Sequence, residues 1–130
     1  MAVGLAASVS NAWLNALFNQ TNYTAPTAIW LQLHVGDPGS AGTSNVATET
    51  TRKDITSSFS SASGGAVTND VAITWTGVSG TEDFTHWSMW SASSAGTFYM
   101  SGTITANAVI TGDTFTIPVG DFDTTLSTAA

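Results

Sequence analysis

Near Ala25 the spacing of apolar residues along this chain changes from four to two, and few architectures accommodate that switch. Ahead of it, Leu5, Val9, Trp13 and Leu17 recur at every fourth position, with Ala6, Ala12 and Ala16 beside them. This predicts an amphipathic helix over about residues 2–19, with Ser and Asn on its opposite face. The run Asn19-Gln20-Thr21-Asn22 ends it, because such side chains compete for backbone hydrogen bonds. Nothing else in the sequence is helical enough to be a partner. The stripe therefore either caps its own domain or docks on a neighbouring subunit.

After Ala25 the alternation is that of strands. Ile29, Leu31, Leu33 and Val35 fall on one face, with Trp30, Gln32 and His34 on the other. Residues 52–59 form a weaker candidate. Val71, Ile73 and Trp75 oppose Ala72, Thr74 and Thr76. Phe84, His86, Ser88 and Trp90 oppose Thr85, Trp87 and Met89. Phe98, Met100 and Ile104 oppose Tyr99 and Thr103, and Phe115, Ile117, Phe122 and Leu126 complete the expected core. Turn sequences such as GDPGSAG, SASGG, GVSG, SASSAG and ITGD interrupt these runs at intervals of about ten residues, the rhythm of an antiparallel sandwich or barrel. Pro118, which cannot donate to a ladder, suits a strand end. The expected architecture is mainly β: an antiparallel, jelly-roll-like β-sandwich over about residues 25–127, preceded by one helix. No linker or internal repeat divides the chain, so one domain, 1–130, is predicted. At 130 residues such a domain buries roughly two-thirds of the surface of its unfolded chain.

Charge narrows the function. Asp, Glu, Lys and Arg make up 8% of residues, against about 25% in an average soluble domain. The 38 Ser and Thr residues fill the gap. A surface wetted by hydroxyls resists association less than a charged one. With a net charge of -7 and only Arg52 and Lys53 as cations, a nucleic-acid footprint is excluded, and anionic membranes are disfavoured. No run approaches the roughly 20 apolar residues of a membrane span. The opening eighteen residues lack a basic start and are interrupted by Ser8, Ser10, Asn11 and Asn15, so they are expected to be mature protein. With no cysteine, neither disulfides nor a thiolate metal site contributes.

The candidate chemistry centres on LQLHVGDPGS. His34 precedes Asp37 by three residues, but Gly36, Asp37, Pro38 and Gly39 have turn chemistry: an Asx acceptor, a preset φ and two flexible flanks. A metal here would need ligands from His86, Glu82 or Asp83, and the spacing matches no zinc or calcium motif. No nucleophile elbow is present. The pairs Glu82–Asp83 and Asp121/Asp123 lie beside turns, where solvated acids are the commoner case. SASGGAV lacks the Lys and helix of a phosphate loop. No catalytic residue, metal or cofactor is expected. Trp87 and Trp90 project to opposite faces of one strand, so in a one-sided sheet one of them must face solvent, a sugar or a subunit. An exposed Trp is an interface anchor or a sugar platform. The expected interface residues are Leu5, Val9, Trp13, Leu17, Trp30, Trp87 and Trp90.

Over most of its length the chain resembles a family of small phage virion proteins, labelled tail fibre or minor tail proteins, from phages of actinobacteria and others. The resemblance rests on TAPTAIWLQLHVGDPGSAGTSNV after an amphipathic helix, then AITWTGV, FTHWSMWSASSAGTFYMSG and a closing GDTFTIPVGDFDTTL. It departs at TTRKDITSSF, where the family has an aromatic-Ala-Arg element and this chain has Arg52 and Lys53 without the aromatic. The resemblance implies a non-enzymatic virion component on the tail or capsid surface. Its partners would be itself, as a homotrimer, and other virion proteins. Capsid decoration is the alternative within that class, and a module binding host cell-surface glycan the alternative outside it.

Overall fold

The computed structural model describes residues 3–129. A helix, α1 (Ala7–Phe18), is followed by eight strands: β1 (Trp30–His34), β2 (Lys53–Asp54), β3 (Ala66–Thr68), β4 (Ile73–Thr76), β5 (Glu82–Trp90), β6 (Phe98–Val109), β7 (Thr114–Ile117) and β8 (Asp123–Thr125). All pairings are antiparallel. They are also nested: β5 pairs with β6, β4 with β7, and β3 with β8. Residues 66–125 thus run as one long hairpin folded over on itself, the plan of a jelly roll. β1 and β2 extend the inner pair into a four-stranded sheet of order β2-β1-β5-β6. The mainly antiparallel β fold with one N-terminal helix is the one the sequence predicts.

The β4–β7 pair closes the core against this sheet. Ile73, Trp75, Phe115 and Ile117 point inward and are buried, while Thr74, Thr76, Thr114 and Thr116 are exposed. They meet Leu31, Leu33, Phe84 and Trp87 in one apolar cluster completed by Ala47, Ile55, Val78, Val109 and Phe122. Ring contacts tie it together: Phe115 lies 5.0 Å from Phe84 and 5.7 Å from Trp75, and Phe122 lies 4.5 Å from Trp87. Gly102, directly opposite Trp87, is required by that packing. A Cβ there would fall 2.3 Å from the indole, so only glycine lets the ring lie across β6.

Asn69 clasps the outer turns of the nested hairpin. Its amide donates to the carbonyls of Val71 and Pro118 (both 2.9 Å), and its oxygen accepts from Gly120 (3.0 Å) and Phe122 (2.9 Å). A buried side chain with all four bonds made is stabilising, whereas the same site half satisfied is costly. Glu82 and Glu49 fasten the segment after β1 in a similar way. Glu82 accepts from the amides of Thr48 and Glu49, and Glu49 accepts from those of Thr51 and Ser79.

Several expectations need correction. The helix does not begin near residue 2. Residue 2 lies outside the described residues, and residues 4–6 are extended along the free edge of β6: Ala6 N–H donates to Tyr99 O, Ser101 N–H donates to Gly4 O, and Leu5 bridges Met100. Leu5 therefore belongs to this edge pairing and not to the helical stripe. Strict alternation fails in β5. Phe84 and Trp87, assigned to opposite faces, both enter the core. The β5–β6 ladder is irregular between them, with Phe84 opposite Asn107 and His86 opposite Thr103; such an irregularity resets the phase of the side chains. Val35, Val71 and Leu126 are exposed because each lies just outside its strand.

Candidate docking surface

Trp87 and Trp90 are both buried, contrary to the expectation that one faces outward. The sheet is covered on its second face as well, by the segments 35–46 and 91–97. Under them lies a polar and aromatic layer. Trp90 Nε1–H donates to Ser88 Oγ (2.7 Å), Ser88 Oγ lies 2.7 Å from His34 Nε2, and His34 Nδ1 lies 2.8 Å from Ser44 O. A carbonyl can only accept, so Nδ1 carries the imidazole proton and Nε2 accepts from the Ser88 hydroxyl. Burial pushes the His34 pKa down, against opposing backbone contacts at Ser44 and Asn45. The ring is thereby kept neutral. Arg52 closes the layer. Its guanidinium stacks 4.2 Å from the Trp90 ring centre and donates to Gln32 Oε1 and to the carbonyls of Ala92 and Ala95. The aromatic partner absent beside Arg52 in sequence is supplied by β5.

A Ser–His pair at 2.7 Å has the spacing of a nucleophile and its base. Here both side chains are wholly enclosed, and the third partner is a backbone carbonyl where a triad has a carboxylate. The turn Gly36–Gly39 is structural in its contacts. Asp37 Oδ1 accepts from Gly39 N (2.8 Å), Pro38 O accepts from Ser44 N, and Asn45 donates to Asp37 O. Gly39 takes a φ of +75°, a conformation that glycine adopts freely. Among the described residues no three His, Asp or Glu side chains converge on a metal-sized site, and no helix is long and apolar enough to cross a membrane.

Exposed large apolar side chains are concentrated on α1, at Trp13, Leu14, Leu17 and Phe18; those elsewhere, such as Ile110 and Val119, are dispersed along the chain. Along the stripe the exposed fraction rises from 8% at Val9 to 37% at Trp13 and 70% at Leu17, and Phe18 is also 70% exposed. The first turn is held by β6 through residues 4–6; farther along, Trp13 meets Tyr23 edge-on, and the apolar side is left largely uncovered at Leu17 and Phe18. Its own chain does little to stabilise it. No side chain caps its N-terminus, and it has no acid in the first turn and no base in the last. A 12-residue helix is marginal in water without packing.

Beneath its inner half lie two adjoining hollows of about 380 Å³ each. Both are lined by Leu5, Trp13, Ile29, Met89 and Met100. One continues to Val9, Tyr23 and Tyr99, the other to Phe59, Phe122 and Leu126. Met89 and Met100 face each other across β5 and β6, in the part of the core-side face that β4–β7 leaves open. Of the seven expected interface residues, the structure brings Leu5, Val9 and Trp13 together in this groove, with Leu17 beyond it. Trp30 is half-buried on the other face of β1, and Trp87 and Trp90 are internal. Sequence reasoning missed Met89, Met100, Leu14, Phe18 and Tyr23. The signal for Leu14 and Phe18 was present, as each extends the stripe sideways by one residue.

No curated protein matches the chain. The family model described as podophage GP4 fiber I protein gp80 matches residues 4–125, taking in the edge segment, the helix and all eight strands, so the chain belongs to this phage fibre family and is a structural component of the virion tail.

Proposed function

We propose that this fibre subunit acts by assembly and not by catalysis: it self-associates, as a homotrimer, and docks on neighbouring tail proteins through the outer half of α1 and the groove beneath it. The observation that carries this is the stripe that is buried at Val9 and uncovered by Leu17. Apolar surface of this kind is stabilised by whatever covers it, at about 25 cal/mol per Å² removed from water, and a large aromatic such as Trp13 is a typical anchor. The fibre family favours the tail over capsid decoration.

The lining of both hollows is mainly apolar, with Leu5, Trp13, Ile29, Met89 and Met100 shared and hydroxyls at Tyr23, Thr56, Tyr99 and Thr124. A sugar needs hydrogen-bonding groups beside its stacking ring, so this lining favours a protein face over a host glycan. The test is incorporation into particles. Trp13→Ala and Leu17→Ala should both lower the amount of subunit in purified virions while leaving its soluble yield unchanged. Equal incorporation of variants and wild type would overturn the proposal, as would quenching of tryptophan fluorescence by cell-wall saccharide that Trp13→Ala abolishes.

A further inference from the structure

We infer that the groove is filled by a second copy of this chain, whose helix tip, Leu17 and Phe18, enters between Met89, Met100 and Leu126. This rests on the self-association proposed above and specifies which surfaces meet. The distribution of charge selects the occupant. Every Asp, Glu, Lys and Arg lies at position 37 or later, so α1 and the segments flanking it carry no charged side chain. None of the residues lining the two hollows is charged. The rest of the molecule bears the whole net charge of -7. Two copies repel one another wherever their bodies meet, and a cationic partner would be drawn to the acidic body. The helix tip and the groove form a neutral pair of surfaces on which identical copies can touch without that penalty.

Shape points the same way. The tip presents two large side chains that its own chain leaves 70% exposed, and the groove is an apolar hollow that its own chain leaves open. Tip and groove are different surfaces of one molecule, so each copy is both donor and acceptor. Contacts of that kind close into a ring when the rotation permits.

The absence of cysteine makes the test clean. Two full-length single variants, Leu17→Cys and Leu126→Cys, are mixed in equal amounts and oxidised, and the products are resolved without reductant. The expected result is a disulfide-linked dimer in the mixture, well above the amount formed by either variant alone. Leu17→Asp, at an exposed position that leaves the fold intact by circular dichroism, should weaken self-association about tenfold or more in sedimentation. An oligomer that forms without the mixed cross-link, and that Leu17→Asp leaves intact, overturns this pairing while sparing self-association through another face. A chain that stays monomeric at all concentrations overturns both. Capture of Leu17→Cys in virions by a different tail protein, with no link to Leu126→Cys, assigns the groove to that protein and overturns the inference.

Discussion

In the β4–β7 pair every inward apolar side chain is covered by the same chain, whereas along α1 the cover thins from Val9 through Trp13 to Leu17. Both segments have a clear polar face and a clear apolar face. Thr74, Thr76, Thr114 and Thr116 meet water opposite Ile73, Trp75, Phe115 and Ile117, much as Ser8, Asn11 and Asn15 lie opposite Trp13 and Leu17. The difference is in what lies across the gap. The strand pair faces a four-stranded sheet; on the helix Trp13 meets Tyr23 edge-on, and beyond it Leu17 and Phe18 are left largely exposed. An amphipathic pattern records that a surface needs covering; it does not record whose atoms cover it.

Four measurements would break or sharpen this contrast. The largest effect should come from Trp75→Ala, which empties the centre of the covered side and removes the bond from its Nε1 to Thr51 O. A loss of about 3–5 kcal/mol in chemical denaturation is expected, and a loss below 1 kcal/mol would mean that the strand pair is not the core. Next, Asn69→Ala leaves the buried amide of Phe122 without its acceptor and the carbonyls of Val71 and Pro118 without a donor, while Gly120 N keeps the residue-69 carbonyl; it should cost about 3 kcal/mol, read from the same curves. Acidification should act on the enclosed second face. The His34 pKa is lowered by burial from its ordinary value near 6.5, so the unfolded chain binds the proton first. The contribution of the neutral ring is full above about pH 6.5 and declines as pH falls from there towards the folded value. The melting temperature should therefore drop across that window in the wild type and stay flat in His34→Asn. Burial also raises the Glu49 pKa, but its bonds from Thr51 and Ser79 outweigh this and hold it low, so its contribution is lost only in stronger acid. The smallest effect on stability should be that of Leu17→Ala, within about 0.5 kcal/mol for a surface position. A loss several times larger in the isolated monomer would show that the helix tip is covered by its own chain after all.

The parts of the fold legible in the sequence were those decided by local period and turn chemistry. The faces of β4 and β7, the Leu31/Leu33 face of β1 and the Gly36–Gly39 turn follow from alternation and from residues suited to turns. What escaped the sequence depended on distant partners. Trp90 is buried because segments 35–46 and 91–97 fold over its face and Arg52 reaches across from beside β2, and none of these contacts leaves a local trace. Phe84 and Trp87 share a core because of an irregular ladder whose other half lies in β6. The groove escaped for a related reason: Met89 and Met100 read as ordinary strand residues, and they line a hollow only because β4 and β7 are too short to cover the whole sheet. The stripe of the helix was visible; how little of its outer half the chain itself covers was not.

The nesting of the strand pairs carries a consequence for the order in which the polypeptide acquires its shape. Closing a loop costs more entropy as the loop lengthens, and here the partners grow more distant from the inside out: Trp90 meets Phe98, Trp75 meets Phe115, and Ala66 meets Thr125. Folding is expected to zip outward from the 91–97 turn, with the remotest pair last and Asn69 latching it. The ledge that receives residues 4–6 does not exist until β6 has formed. A nascent chain thus cannot seat its N-terminal helix before it has a body to mount it on.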